Sequence, residues 1–124
     1  MRLTAGLFVL VFVTTAVAED ASAITPAEAA KKVNEKVTVE MEVKSTGGSD
    51  NYFLNSAANY RDADNFTLFI PKEAVEKFKK AKIDNPATHF KGKTVRVTGT
   101  VTLFRDKPQI RVEDPEQIKI VEKK

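Results

Sequence analysis

The chain holds one histidine, His89, and no cysteine, so most of the side chains that carry nucleophilic or metal chemistry are absent. Without cysteine there is no disulfide, no thiolate metal site and no cysteine nucleophile. His89 follows Asn85-Pro86 in a turn-rich stretch. No pattern around it supplies the positioned partner that a general base or a ligand needs. Asp62-Ala63-Asp64-Asn65, with Asp50 upstream, offers oxygen atoms that could face Ca²⁺. It lacks the regular spacing and the closing bidentate carboxylate of a calcium loop. Glu113-Asp114-Pro115-Glu116 is acidic but reads as a turn between strand halves. The serines sit in loops, outside any nucleophile motif. The sequence therefore predicts no catalytic residue, no metal site and no cofactor, and the expected protein is not an enzyme.

What remains is binding chemistry. Tyr52, Phe53, Tyr60, Phe66 and Phe104 are available aromatics, and Lys91, Lys93, Arg96, Arg105, Lys107 and Arg111 are available cations. Stacking platforms beside a basic groove are what a single-stranded nucleic acid requires. The contact set expected on that basis is Tyr52, Tyr60, Lys93, Arg96, Phe104, Arg105, Lys107 and Arg111. Two features oppose it. Most of these aromatics fall in apolar alternation, where core packing explains them, and Glu40 and Glu42 project from the outer face of the first strand and would repel phosphates. A protein or envelope component makes fewer demands: a stable scaffold and an adaptable outer face. Asn55, Asn59, Tyr60 and the loop from Ser45 to Asn51 would serve as contacts. That is the leading expectation, with nucleic acid or another polyanion as the alternative.

The elements that must position these residues are short. Thr25-Pro26-Ala27-Glu28 is a capping box with proline at the first helical position, predicting a helix from Pro26 to about Lys32. Val37, Val39, Met41 and Val43 alternate with Thr38, Glu40, Glu42 and Lys44, the period of a half-buried strand. Thr46 to Asn51 reads as a loop, Tyr52–Asn55 as a second strand, and 56–64 as a loop again. Phe66 to Ile70 reads as a third strand, apolar on both faces. A helix follows from Pro71 to about Ala81, with Ala74, Val75, Phe78 and Ala81 on one side and lysines and glutamates on the other. Asn85-Pro86 marks a loop. Thr94 to Leu103 is the clearest strand, with Gly99 suggesting a bulge or bend. Arg105-Asp106-Lys107-Pro108 turns into a fifth strand through Ile110 and Val112. Asp114-Pro115 interrupts it, and Ile118 and Ile120 resume it.

The 124 residues, 42% hydrophobic and 30% charged, suffice for one folded domain. The first eighteen differ. Arg2, the apolar run Leu7 to Val13 and Ala16-Val17-Ala18 form the three parts of a secretory signal peptide. The run is too short to span a bilayer. Cleavage is expected after Ala18, with Ala21-Ser22-Ala23 as a second acceptable site, leaving a domain over 24–124. The expected location is periplasmic or extracellular, with no stable membrane anchor once the signal is removed. The net charge of +3 is unevenly spread. Residues 19–70 carry five basic and nine acidic groups, whereas residues 72–96 carry eight and three.

Strand-strand-strand-helix-strand-strand is the connectivity of the OB-fold, a five-stranded Greek-key barrel. Gly92 to Gly99, then Pro108-Gln109-Ile110 and Asp114-Pro115-Glu116-Gln117-Ile118, resemble exported bacterial stand-alone OB-fold domains of the nucleic-acid-binding-like type. Tyr52–Asn55 and Phe66 to Ile70 are similar to that family's second and third strands. The resemblance spans roughly residues 26 to 121. It implies a mainly β protein with short helices, a five-stranded OB-fold-like barrel preceded by a short N-terminal helix. The family usually has glycine where this hairpin has Asp106, which leaves the turn type open.

Overall fold

The computed structural model describes residues 23–121, so the segment expected to be a signal peptide lies outside the described residues. The chain enters through a two-residue strand, β1 (Ala23–Ile24), and a single turn of helix, α1 (Pro26–Ala29). Thr25 Oγ1 accepts the Glu28 N–H at 3.1 Å and Glu28 Oε1 accepts the Thr25 N–H at 3.0 Å. The helix stops earlier than the expected Lys32. The Lys31 and Lys32 N–H groups bond three residues back, to Glu28 and Ala29, and Asn34 turns left-handed at φ 75°.

Six further strands complete the sheet: β2 (Lys36–Glu42), β3 (Ser45–Gly47), β4 (Tyr52–Asn55), β5 (Thr67–Ile70), β6 (Thr94–Phe104) and β7 (Lys107–Arg111), with β8 (Ile118–Ile120) added late. Their order is β1-β2-β6-β7-β5-β4-β3, and β8 pairs with β6. The sheet is mixed, because β1–β2 and β5–β7 are parallel. This corrects the expected five-stranded barrel: the described residues form eight strands, and the ladder is open between β1 and β3. Part of the higher strand count arises at Val43-Lys44. The Val43 N–H donates to Lys93 O beside β6, whereas the Lys44 N–H donates to Asn55 O of β4. One extended run is thereby divided between the two flanks of the sheet. Thr46 and Gly47, expected in a loop, instead belong with Ser45 to a strand paired antiparallel with β4.

Two helices pack on this sheet: α2 (Lys72–Lys80) and α3 (Pro86–Phe90). Ala74 and Phe78 are buried, as the wheel predicts, but Ala81 is exposed beyond the end of α2. The α3 turn was read as a loop, although its signature is present. Asn85 Oδ1 accepts the Thr88 N–H at 3.1 Å, and Pro86 opens the helix. Phe90 meets Phe78 edge-to-face at 6.4 Å, closing the core above Leu54, Leu68, Ile70, Val95, Val97 and Ile110.

Gly99 is not a bulge. It pairs with Val37 in unbroken register. A Cβ there would lie 2.6 Å from Ile110 Cγ2 and 3.3 Å from Gln117 Nε2, so the glycine serves close approach. Gln117 ends a 3₁₀ turn (Pro115–Gln117); its Nε2 donates to Thr98 O at 3.0 Å and Arg111 O at 3.1 Å. The β6–β7 hairpin turns on Arg105 (φ 54°) and Asp106 (φ 67°). Two consecutive left-handed residues make it a type I′ turn, built without the usual glycine.

Candidate binding face

Cross-strand register fixes which side chains share the outer face. Gly47 lies opposite Phe53, Phe53 opposite Phe69, and Phe69 opposite Arg111, one row across β3, β4, β5 and β7. Leu54, Leu68 and Ile70 point the other way into the core, so both phenyl rings stand on a fixed base. Their centroids are 5.3 Å apart, with a tilt of 34°. The Arg111 guanidinium lies 5.6 Å from the centre of the Phe69 ring. It also donates from Nε to Glu113 Oε2 and reaches Glu73 Oε1 of α2 at 4.0 Å. A Cβ built on Gly47 meets nothing within 4 Å, so the row is open beyond Phe53.

Glu73 belongs as well to an open cleft of about 580 Å³ between α2 and the loop after β3. Ser49, Asp50, Tyr52, Glu76, Lys79 and Asp84 are among its walls. The row and cleft together hold Arg111, Lys72 and Lys79 against Glu113, Glu73, Asp50, Glu76 and Asp84, an acidic balance.

The adjoining row is polar: Ser45, Asn55, Thr67, Gln109 and Thr102. Residues 56–65 fold back beside it around Asn65, which is 5% exposed. Asn65 Oδ1 accepts the Ala57 N–H at 3.1 Å, and its Nδ2 donates to Thr67 Oγ1 at 3.0 Å and to Asn55 Oδ1 and Tyr60 O at 3.3 Å. Ser45 Oγ donates to Ala57 O at 2.7 Å and ties the loop to β3. With its Oδ1 so engaged, Asn65 turns away from Asp62 and Asp64, which are exposed.

The expected contact residues divide among three places. Tyr52 is half-buried against the core and lines the cleft, with Arg111 nearby through Glu73. Tyr60, Phe104, Arg105 and Lys107 gather at the opposite end of the sheet. The 56–65 loop lies beyond the Asn55–Thr67 pair and the hairpin tip beyond the Thr102–Gln109 pair, and parallel pairing of β5 with β7 puts both at one end. Tyr60 is 58% exposed and Phe104 55%, each under an arginine, Arg61 at 5.3 Å and Arg105 at 5.2 Å. Asp62, Asp64 and Asp106 balance Arg61, Arg105 and Lys107 there. Lys93 and Arg96 lie at the start of β6, away from both groups. Arg96 donates from Nε and Nη2 to Glu40 Oε1, at 3.0 and 2.8 Å. His89 is exposed on α3, its ring edge-on to Phe90.

Phe69 is the residue that sequence reasoning passed over. Thr67 and Phe69 alternate with Leu68 and Ile70, but the run is so apolar that both faces looked covered.

No protein-family model matches the chain, and no curated protein matches it. Among solved structures it is similar to OBody AM3L09 bound to hen egg-white lysozyme, with TM-score 0.57, 14% identity, and coverage of 83% of this chain and 97% of that one. OBody AM1L10 bound to the same lysozyme gives TM-score 0.56 and 14% identity over 82% and 95%. Aspartyl tRNA synthetase from Entamoeba histolytica gives TM-score 0.55 and 14% identity over 84% of this chain, which spans 22% of the synthetase. At these identities the likeness supports an OB-fold and speaks to the fold alone.

Proposed function

We propose that the chain is a non-catalytic binding module of the OB-fold type, exported to the periplasm or cell exterior, that engages a protein or another envelope component. The observation that carries this reading is the row Phe53–Phe69–Arg111, an aromatic and arginine surface open at Gly47, whose Arg111 reaches Glu73 on the wall of a cleft. Aromatic and arginine side chains on rigid strands are the usual anchors of an interface, because they bury area at small entropic cost. The strand-two and strand-three face, here β4 and β5, is also where OB-folds generally place ligands. The test is a titration of isotope-labelled protein with soluble envelope extract. Line broadening confined to Gly47, Phe53, Phe69 and Arg111 is the expected result, and its absence there refutes the reading.

A second reading, single-stranded nucleic acid or another polyanion, is favoured by the paired phenyl rings, which could stack bases. Its difficulty is charge. Affinity for a nucleic acid comes largely from phosphates neutralised by Lys and Arg, and this surface has more carboxylates than cations. Fluorescence anisotropy with labelled single-stranded DNA and RNA at low salt decides it. Saturable, salt-sensitive binding lost with Arg111→Ala would establish this second reading over the first.

A further inference from the structure

We infer that a second surface, the cap formed by α2 and α3, docks reversibly on a phospholipid bilayer that carries anionic headgroups, independently of the aromatic row. The cap is built from one continuous segment. Ala74 and Phe78 of α2 and Pro86 and Phe90 of α3 are buried, the two phenyl rings meet at 6.4 Å, and Ile83 between the helices packs on the core. The Ile83 N–H donates to Phe78 O at 2.8 Å and the Lys93 N–H to Phe90 O at 3.0 Å, which holds the flanking chain to the same base. The charged side chains are left outside. Residues 77–93 include six lysines and one aspartate, all exposed. Asp84 and Lys79 line the cleft, together with Glu73 and Glu76. That leaves Lys77, Lys80, Lys82, Lys91 and Lys93, none of which is in a salt bridge among the described residues.

The kind of cation selects the occupant. Protein interfaces are rich in arginine and aromatic side chains and poor in lysine. Residues 77–93 contain no arginine, tyrosine or tryptophan, and both phenylalanines are buried. A nucleic-acid strand asks for cations along a groove beside stacking rings, whereas these are spread over the outside of two helices. A bilayer surface is broad and fluid, so its phosphates move to meet each ammonium, a point charge on a flexible stem. Each lysine near an anionic bilayer strengthens binding about fivefold. No large apolar side chain of 77–93 is exposed for insertion, so the contact is electrostatic and ends when salt screens it. The place of the cap sets the orientation. α2 follows β5 and α3 precedes β6, whereas the 56–65 loop precedes β5 and the hairpin tip follows β6. Cap and tip therefore lie at opposite ends of the sheet, and docking directs Tyr60 and Phe104 away from the bilayer.

The test is sedimentation of the purified protein with vesicles of phosphatidylcholine alone or mixed with phosphatidylglycerol, at low salt and at about 1 M, where the screening length is about 3 Å. The expected result is binding to the phosphatidylglycerol vesicles only, abolished at high salt. Lys91→Gln with Lys93→Gln should weaken it at least about tenfold, and Arg61→Gln with Lys107→Gln, the same loss of charge at the opposite end, less than about threefold. All four side chains are exposed, so both variants should keep dispersed amide spectra. A lipid-borne nitroxide should broaden the amides of residues 77–93 and spare Arg105 and Asp106. No binding at low salt, equal binding to both vesicles, equal losses in the two variants or broadening at the hairpin tip would each overturn the inference. Cap amides that shift with oligo-dT or a polyglutamate peptide while the vesicles fail to bind would overturn it as well, assigning the cap to that polyanion.

Discussion

Asn65 is the position where a small change should have the largest local consequence. Replacement by alanine removes four hydrogen bonds at a side chain only 5% exposed. Two are short, from the Ala57 N–H and to Thr67 Oγ1, and two are long at 3.3 Å. A neutral bond contributes about 1 kcal/mol, less when stretched, and an orphaned partner adds about 1 kcal/mol of desolvation. Thr67 Oγ1 keeps Asn55 Oδ1, so the main orphan is the Ala57 N–H. The expected loss is about 2–3 kcal/mol, a shift of roughly 2 M in the urea midpoint for a domain of this size. Asn65→Asp is the sharper probe. It keeps the acceptor for Ala57 but turns the donor toward Asn55 Oδ1 and Tyr60 O into a second oxygen. A buried carboxyl facing two acceptors holds its proton in the folded state above the usual value of about 3.9. The stability gained by holding that proton is fully present below the unfolded value and is lost as pH rises through the raised folded one. Urea unfolding of both variants should therefore give similar midpoints near pH 4, with Asn65→Asp falling below Asn65→Ala by pH 7. A cost under about 0.5 kcal/mol for alanine, or an aspartate variant that strengthens with pH, would refute the loop architecture.

Three further outcomes follow from the geometry. Gly99→Ala places a Cβ 2.6 Å from Ile110 Cγ2 and displaces Gln117, so thermal unfolding should show a loss of about 2 kcal/mol; an unchanged midpoint would contradict the close approach. Replacing Arg105-Asp106 by Asn-Gly suits the left-handed turn and should stabilise by roughly 0.5–1 kcal/mol, against destabilisation if the turn is of another type. If the chain is exported as proposed, mass spectrometry of the mature protein should find Glu19 at the N-terminus, since cleavage after Ala23 would remove the residue that pairs with Thr38; a chain beginning at Ile24, or one retaining residues 1–18, would count against this.

The sequence carried the local signals faithfully and the long-range ones poorly. The Thr25 capping box, the α2 face and the β6 alternation are each written within a few residues, and they stand close to where periodicity puts them. The division of one strand at Val43-Lys44 has no local mark, because it depends on which carbonyls lie opposite, Lys93 and Asn55. Asn65 looked like one of several loop oxygens. Its role appears only when Ala57, Asn55 and Thr67 are brought round it. Arg96 looked like a phosphate contact because its neighbour across the sheet, Glu40, is 56 positions away in the chain.

Charge shows why a shared fold does not by itself carry a shared ligand. The segment 72–96 is strongly basic along the chain, yet the fold disperses it. Its lysines line the exposed side of α2 and the stretch before β6, Lys72 and Lys79 share the cleft wall with Asp50, Glu73, Glu76 and Asp84, and Arg96 bonds Glu40. The aromatic row meanwhile receives one arginine and two glutamates. Phosphate recognition needs cations gathered where the bases stack, since the electrostatic part of the affinity scales with phosphates neutralised at the contact. Moving Glu73 and Glu113 to glutamine tests that reasoning. The double variant leaves Arg111 and both phenyl rings in place and removes two negative charges from their rim. If the carboxylates at the rim weaken phosphate binding, the variant should bind single-stranded DNA more tightly than the parent, with a steeper salt dependence. Equal affinity for parent and variant would refute the charge reasoning.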